Sequence, residues 1–240
     1  MPTYVITGAR AGIGLEYIRQ LSTSPDNTIV ALVRDVNAAG MTGLNNILSS
    51  SDTRAQVHIL EGNLASPKSL ASLPSRLPQG LKIDVLIQNA AILLPTARSE
   101  KASTVAAESL NAHFSTNVIG PALLLQALVP LLTPGAVVAN ISSGVGSMAW
   151  IVDGRVNAEY PAYSISKAAL NMLTVHQAAE LKGKAIVVCV DPGWVKTEMG
   201  GPGALVEAAD SARNVLRTLS GLKEEDTGNF MFNDGTPEPW

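Results

Sequence analysis

Tyr163 and Lys167 stand four residues apart, in Tyr163-Ser164-Ile165-Ser166-Lys167. The run from Ala168 to Leu181 has helical patterning, so the phenol and the ammonium share one helix face. A tyrosine held this way can give its proton to an oxygen on which negative charge is developing. Its ordinary pKa of about 10 is too high for the reverse role of base near neutrality. An adjacent ammonium stabilises the phenolate and lowers that value. A shift of roughly three units corresponds to about 4 kcal/mol of differential stabilisation. Upstream, Ser142 and Ser143 close an apolar strand pattern, where a hydroxyl can bond a carbonyl oxygen as charge builds on it. Asn117 lies in a long apolar helical pattern; taken alone, it is a polar side chain satisfied by its own helix.

Other chemistries find less support. His58, His113 and His176 are scattered and have no metal-ligand spacing, so no metal is expected. Ser143 lacks the Gly-x-Ser-x-Gly setting of an acyl-transfer nucleophile. Cys189 sits in the apolar run Ala185 to Val190 and reads as a small buried hydrophobe. A single cysteine excludes an intramolecular disulfide framework and fits a reducing, cytoplasmic compartment. The opening Met1-Pro2-Thr3 runs straight into a strand pattern, with no signal peptide.

A second constellation lies at the start of the chain: Thr7-Gly8-Ala9-Arg10-Ala11-Gly12-Ile13-Gly14. Gly8, Gly12 and Gly14 follow a short apolar strand and open a helix. Glycines there permit a tight turn and let the amides around Ile13 approach a pyrophosphate at the helix N-terminus. The spacing is Gly-x3-Gly-x-Gly rather than Gly-x-Gly-x-x-Gly. The second strand ends in Val33-Arg34-Asp35. An acidic side chain at that point bonds a ribose 2′-hydroxyl and favours NAD, whereas an arginine accommodates a 2′-phosphate. The planar guanidinium of Arg34 suits a phosphate, which favours NADP(H) over NAD(H). Asp35, one position on, supports the opposite choice if the alignment slips by one. Arg10 adds positive charge at the same mouth.

These groups need a scaffold. At 240 residues the natural expectation is one α/β domain, 1–240, with the site integral to it. Aromatics are only 4% of the chain, so the core must be Ala, Val, Leu and Ile. The strand candidates are Tyr4–Thr7, Thr28–Val33, Gln56–Leu60, Val85–Gln88, Ala136–Ser142, Ala185–Val190 and Phe230–Phe232. They are continuously apolar, as a sheet covered on both faces requires. Helices are expected over Gly14–Ser22, Ala38–Ser49, Pro67–Leu73, Thr104–Leu132, Ala162–Lys182 and Ala208–Ser220. This alternation predicts a doubly wound Rossmann domain: a seven-stranded, mostly parallel sheet with right-handed crossovers and helices on both faces. A net charge of -3 gives no footprint for nucleic acid or an anionic membrane. The span from Ser109 to Val152 carries no charged side chain, but Pro121, Pro130 and Pro134 interrupt it, so it reads as a buried helix and strand rather than a membrane crossing.

Thr7-Gly8-x-x-x-Gly12-x-Gly14, Asn89-Ala90-Ala91, Asn117, Ser143, Tyr163-x-x-x-Lys167 and Pro192-Gly193-x-Val195-x-Thr197 together resemble the short-chain dehydrogenase/reductase family, in that family's order, from Thr3 to about Thr197. The chain length and the ending Gly228 to Trp240 are similar to its sniffer-type and C-factor-type carbonyl reductases. The resemblance implies an NADPH-dependent reductase of a ketone or aldehyde. In that scheme Tyr163 is the acid, Ser143 polarises the carbonyl, Lys167 tunes Tyr163 and bonds the nicotinamide ribose, and Asn117 holds a water that relays protons to Lys167. The positive nicotinamide adds to the lowering of the Tyr163 pKa. Asn63 and Leu64 fall beside the adenine, where Asn63 replaces the usual Asp. Asn89 and Ala90 line the cofactor cleft, with Ala91 in place of a glycine. Pro192, Gly193, Val195 and Thr197 fall on the nicotinamide side. Val33 occupies the usual acidic position and Ala11 the usual basic one, which leaves Arg10 displaced by one. Substrate choice is assigned to Gly144–Ala162, which contains Met148, Trp150 and Ile151, and to the Gly/Pro-rich lid Glu198–Glu207. Their content suggests a hydrophobic carbonyl. The helices bearing Asn117 and Tyr163 are the expected pairing faces of a homodimer or homotetramer. Two rivals remain: a non-catalytic nucleotide-sensing protein on this fold, and an NAD-dependent alcohol dehydrogenase.

Overall fold

Strands β1 (Thr3–Thr7), β2 (Thr28–Val33), β3 (Gln56–Glu61), β4 (Ile83–Gln88), β5 (Leu132–Ile141), β6 (Ala185–Asp191) and β7 (Phe230–Phe232) form one sheet in the order β3-β2-β1-β4-β5-β6-β7. Every neighbouring pair is parallel. The computed structural model describes residues 1–38 and 40–240; Ala39, inside the helix expected over Ala38–Ser49, lies outside the described residues. Strand order reverses between β1 and β4, with Val5 opposite Val30 on one side and Leu86 on the other. An open α/β sheet splays its carboxyl-end loops apart at that point and opens a crevice.

Successive strand residues point to opposite faces, and both faces are covered. On one face Ile6, Ala31, Ile87 and Val188 pack with Tyr17 and Ile18 of α1 (Gly12–Leu21) and Val215 and Leu219 of α8 (Ala208–Gly221). On the other, Val5, Leu32, Leu86 and Val138 pack with Leu124 and Leu128 of α5 (Gly120–Leu128) and Ala178 of α7 (Pro161–Glu180). This two-sided cover is why the strands read as unbroken apolar runs. β3 departs from it and is only half-buried, because as an edge strand it pairs with β2 alone.

The helix expected over Thr104–Leu132 is divided. α4 (Ala107–Phe114) passes into a π turn over Ser115–Ile119, then into α5. Pro121 has no N–H to give to the carbonyl of Asn117 four residues back, so the regular ladder cannot run through that point. The whole run, Ala107–Leu131, is long and apolar enough by length and composition to cross a membrane, with mean hydropathy 1.5. Here Leu124, Leu125 and Leu128 are buried against the sheet. Helices α2 (Thr42–Leu48) and α3 (Pro67–Ala71) are shorter than expected. A further one, α6 (Met148–Val152), has no counterpart among the expected elements. β5 begins four residues early and ends at Ile141, so Ser142 and Ser143 lie just beyond its carboxyl end.

Candidate active site

The β1–α1 turn is built around missing side chains. Gly8 has φ 70, and a Cβ there would stand 2.9 Å from the Asn89 amide nitrogen. At Gly14 a Cβ would collide with the Gly8 carbonyl oxygen. Gly12, φ 57, faces the Thr197 side chain across the crevice. Asn89 donates to the Thr7 carbonyl (3.0 Å) and the Ala90 amide donates to the Thr7 hydroxyl (2.9 Å), tying β4 to β1 directly behind the turn. Ala11 occupies the N-cap of α1, and no side chain caps the helix. Uncapped first-turn amides over a glycine cradle fit a dinucleotide pyrophosphate.

At the adenosine end, Arg34 is exposed at the end of β2, while the Asp35 carboxylate accepts from the Asn37 amide (2.8 Å) and closes a turn. Arg10 reaches the same loop: a Cβ on Gly40 would stand 2.5 Å from its guanidinium. Arg10 thus reaches the loop that begins at Arg34, and one oxygen of the Asp35 carboxylate is engaged in that loop's turn. The Asn63 carbonyl accepts from the Ala65 amide (3.0 Å) and keeps one lone pair. Leu64 is buried against Gly120, so its side chain belongs to the core rather than to the crevice.

A cleft of about 430 Å³ opens at the carboxyl ends of β5 and β6. Tyr163, Ser143, Trp150, Tyr160, Asp191 and Trp194 are among its lining residues. Pro161 starts α7, and the preceding Tyr160 is the one non-glycine residue with positive φ (54) among those described. That strained junction, with Arg98 5.8 Å over the Tyr160 ring, sets where α7 begins and so where Tyr163 points. The Ser143 side chain stands beside the Tyr163 hydroxyl, and both line the cleft. The Lys167 ammonium lies 5.5 Å from the Tyr163 ring centre and donates to the Ile141 carbonyl (2.7 Å). Ser142, by contrast, is turned away and donates to Asn171 (2.6 Å).

Burial dominates the electrostatics. Lys167 is 2% exposed and burial lowers its pKa to about 8, with the neighbouring Cys189 and Asp191 opposing the fall. Tyr163 is held well above its usual value by burial, then by Asp191, with the neighbouring Ser143 acting the other way. The sequence reading has the ammonium lowering the phenol's pKa. Desolvation of the phenol is the largest influence on it, and it favours the protonated form. The Asn117 side chain does not reach Lys167. Its oxygen accepts from the Ile92 amide (2.8 Å), and its nitrogen donates to the Ile92 carbonyl and to Ser166 (both 3.0 Å). His113 is buried, accepts from the Leu94 amide (3.3 Å) and packs edge-on to Tyr163 at 6.3 Å. Cys189 is buried, its thiol pushed up to about 12.

The segment Glu198–Glu207 folds back on the cleft rather than standing away from it. Val195 bridges to Val206, the Trp194 indole donates to the Gly200 carbonyl (2.8 Å), and Lys196 pairs with Glu207. Gly235–Trp240, which reads as a loop in the sequence, is docked. Ser147 donates to the Pro239 carbonyl (2.7 Å), the Ala149 amide donates to the Trp240 carbonyl (3.0 Å), and Trp240 stacks on Phe230 at 5.4 Å. This strap fixes α6 and the Trp150 side of the cleft. It also carries Glu238, 8% exposed, with neither carboxyl oxygen hydrogen-bonded. Burial, then Asp191 and Asp234, raise its pKa from 4.5 to about 8. The folded state thus binds a proton that the unfolded chain releases, and this contribution to stability is lost as pH rises from about 4.5 to about 8. Glu238→Gln is expected to raise the Tm at pH 8.5 by several degrees, at about 2–4 °C per kcal/mol gained, and to leave it unchanged near pH 4.5. Thermal melts at the two pH values check this.

A parallel sheet in this order, a glycine cradle at its switch point, and a Tyr–Lys–Ser cluster at the adjacent strand ends define a nucleotide-fold oxidoreductase. The chain belongs to the short chain dehydrogenase family, whose sequence pattern matches residues 2–204. It is 42% identical over 130 residues to C-signal of Myxococcus xanthus, covering 53% of this chain and 76% of that one. Among solved structures it is similar to an NADPH-bound carbonyl reductase from chicken fatty liver, with TM-score 0.87 and 30% identity over 100% of this chain and 99% of the other. It is also similar to the carbonyl reductase Sniffer of Drosophila melanogaster, with TM-score 0.87 and 28% identity over the whole of both chains.

Proposed function

We propose that the chain reduces a hydrophobic ketone or aldehyde to an alcohol with NADPH, as one domain spanning residues 1–240. The observation that carries this is the convergence of Tyr163 and Ser143 on one cleft, with the buried Lys167 ammonium 5.5 Å from the Tyr163 ring. When bound, the nicotinamide would supply a hydride to the carbonyl carbon. Tyr163 gives its proton to the carbonyl oxygen, and Ser143 donates a hydrogen bond to that oxygen. Lys167, with one N–H on Ile141, keeps two for a ribose hydroxyl and for proton supply. Asn117 clamps the Ile92 segment to the π turn and aims its own carbonyl at the relay.

Gly8, Gly12, Ile13 and Gly14 would hold the pyrophosphate, and Asn89 and Ala90 would back it. Asn63 and the Leu64 backbone would flank the adenine, and Pro192, Gly193, Val195 and Thr197 the nicotinamide. The exposed Arg34, with Arg10 reaching toward the loop that follows it from the β1–α1 turn, supports the choice of a 2′-phosphate. Leu93, Val145, Trp150, Val156 and Met199 support an apolar substrate. The same reading pairs two copies through Ile119, Ile165, Met172 and Val175, apolar side chains exposed on the α4–α5 run and α7. It places the protein in the cytoplasm with no nucleic-acid or membrane partner.

The test is NADPH oxidation measured against quinones, diketones and aromatic aldehydes. Turnover of at least one class is the expected result. Nucleotide binding with no turnover of any would favour a nucleotide-sensing role instead. Arg34→Ala is expected to weaken NADPH at least about tenfold more than NADH, or about 1.4 kcal/mol. Equal losses, read by fluorescence titration, would remove Arg34 from phosphate recognition.

A further inference from the structure

Asp191 ends β6 at the heart of the cleft, 7% exposed, and the mechanism above gives it no part. One carboxylate oxygen accepts from the Gly144 amide (2.8 Å) and the other from the Gly193 amide (2.8 Å). Gly144 directly follows Ser143. Gly193 has φ 85 and opens the loop that carries Trp194 and Val195. A single side chain thus bolts the turn bearing the substrate-facing hydroxyl to the loop on the nicotinamide side. The fit is close: a Cβ on Gly144 would stand 3.0 Å from Asp191 Oδ2 and 2.9 Å from the Trp150 ring.

We propose that Asp191 is a positioning residue for the reaction: its carboxylate, accepting from Gly144 and Gly193, sets the spacing between the Ser143 turn and the Gly193–Val195 loop and turns one negative charge toward Tyr163 and Lys167. The proposal rests on the reductase reading for its kinetic consequence, but not for its electrostatic one. Both oxygens accept amide protons, which favours the ionised form. The groups facing Asp191 are Tyr163 and Lys167 from α7, Cys189 on its own strand and Glu238 from the C-terminal strap. Glu238 has no hydrogen bond where Asp191 has two, so at neutral pH Glu238 keeps the proton and Asp191 the charge. Burial pushes Asp191 upward, the two amides and Lys167 oppose it, and its charge raises Tyr163 and Lys167 in turn.

The experiment compares wild type with Asp191→Asn, which keeps the shape but loses the charge and one acceptor. The first readout is the titration of Lys167 in the free protein by 15N-lysine NMR, with the resonance assigned through Lys167→Met. Removing the anion is expected to move that titration to lower pH by about one unit. The second is the pH profile of carbonyl reduction with NADPH: kcat is expected about 10- to 100-fold lower, with the alkaline limb displaced to lower pH and NADPH affinity within a few-fold of wild type. An unmoved Lys167 titration overturns the proposal whether or not any carbonyl is turned over, whereas a wild type without turnover defeats only the reductase reading. If Asp191→Asn does not fold, Asp191→Ser replaces it. Failure of both to fold would make Asp191 a folding residue and overturn the assignment as well.

Discussion

Tyr163→Phe is expected to fold, to bind NADPH with wild-type affinity, and to lose carbonyl turnover by about three orders of magnitude. The ring stays: edge-on contact with His113 at 6.3 Å and the Lys167 ammonium at 5.5 Å both involve the aromatic system rather than the hydroxyl. Only the hydroxyl goes, and with it the influence of the neighbouring Ser143 on it. That hydroxyl is buried and held above its ordinary pKa, so removing it does not leave a buried charge behind, and the melting temperature should stay close to wild type. The proton for the nascent alkoxide would then have to come from a water with no side chain positioned to activate it, or from Lys167, which donates to the Ile141 carbonyl. Single-turnover measurements at saturating NADPH, alongside a binding titration, separate the two effects. Retained turnover would strip Tyr163 of the acid role. Loss of cofactor affinity equal to the loss of rate would make its contribution one of binding instead.

The scaffold was legible in the residues because parallel strands buried on both faces must be apolar throughout, and few other folds demand that. The glycine turn was legible for a steric reason: Gly8 and Gly14 stand where the Asn89 side chain and the Gly8 carbonyl leave no room for a Cβ. What escaped was set by distant parts of the chain. α6 forms where the strap holds it, through Ser147 on Pro239 and Ala149 on Trp240, contacts about ninety residues long in sequence that no local pattern announces. Asp191 was hidden at the end of an apolar run as an ordinary strand-loop boundary; only its two amide partners reveal it. The π turn at Ser115–Ile119 did have a signal, because Pro121 cannot donate to Asn117, but a run of helix formers on both sides masked it. The environment of Tyr163 was only partly legible for a related reason: spacing reports the neighbouring ammonium but not the depth of burial, which raises the phenol's pKa.

Gly14→Ala tests the cradle with a single methyl group. Its Cβ would collide with the Gly8 carbonyl oxygen and stand 2.7 Å from the Asn89 amide nitrogen. The first obstacle is backbone and cannot swing aside as a flexible side chain would. Asn89 has no freedom either, because its amide is already committed to the Thr7 carbonyl. The β1–α1 turn must therefore open, and the uncapped amides of Gly12, Ile13 and Gly14 move off the line on which they face a pyrophosphate. Overpacking of this kind costs about 1–3 kcal/mol of stability. The larger effect falls on binding, because three donors and the helix dipole act on one anion only while they point at it. NADPH affinity is expected to fall about 100-fold, close to 2.7 kcal/mol, and NADH affinity by the same factor, since the pyrophosphate is common to both. That parity distinguishes the variant from Arg34→Ala, which should discriminate between the cofactors. Gly221→Ala is the control: it ends α8, has no atom within 4 Å of an added Cβ, and should leave both affinities untouched. A Gly14→Ala protein that binds NADPH as wild type does would mean that the pyrophosphate lies away from this turn, and the cofactor assignment built on the glycines would fall with it.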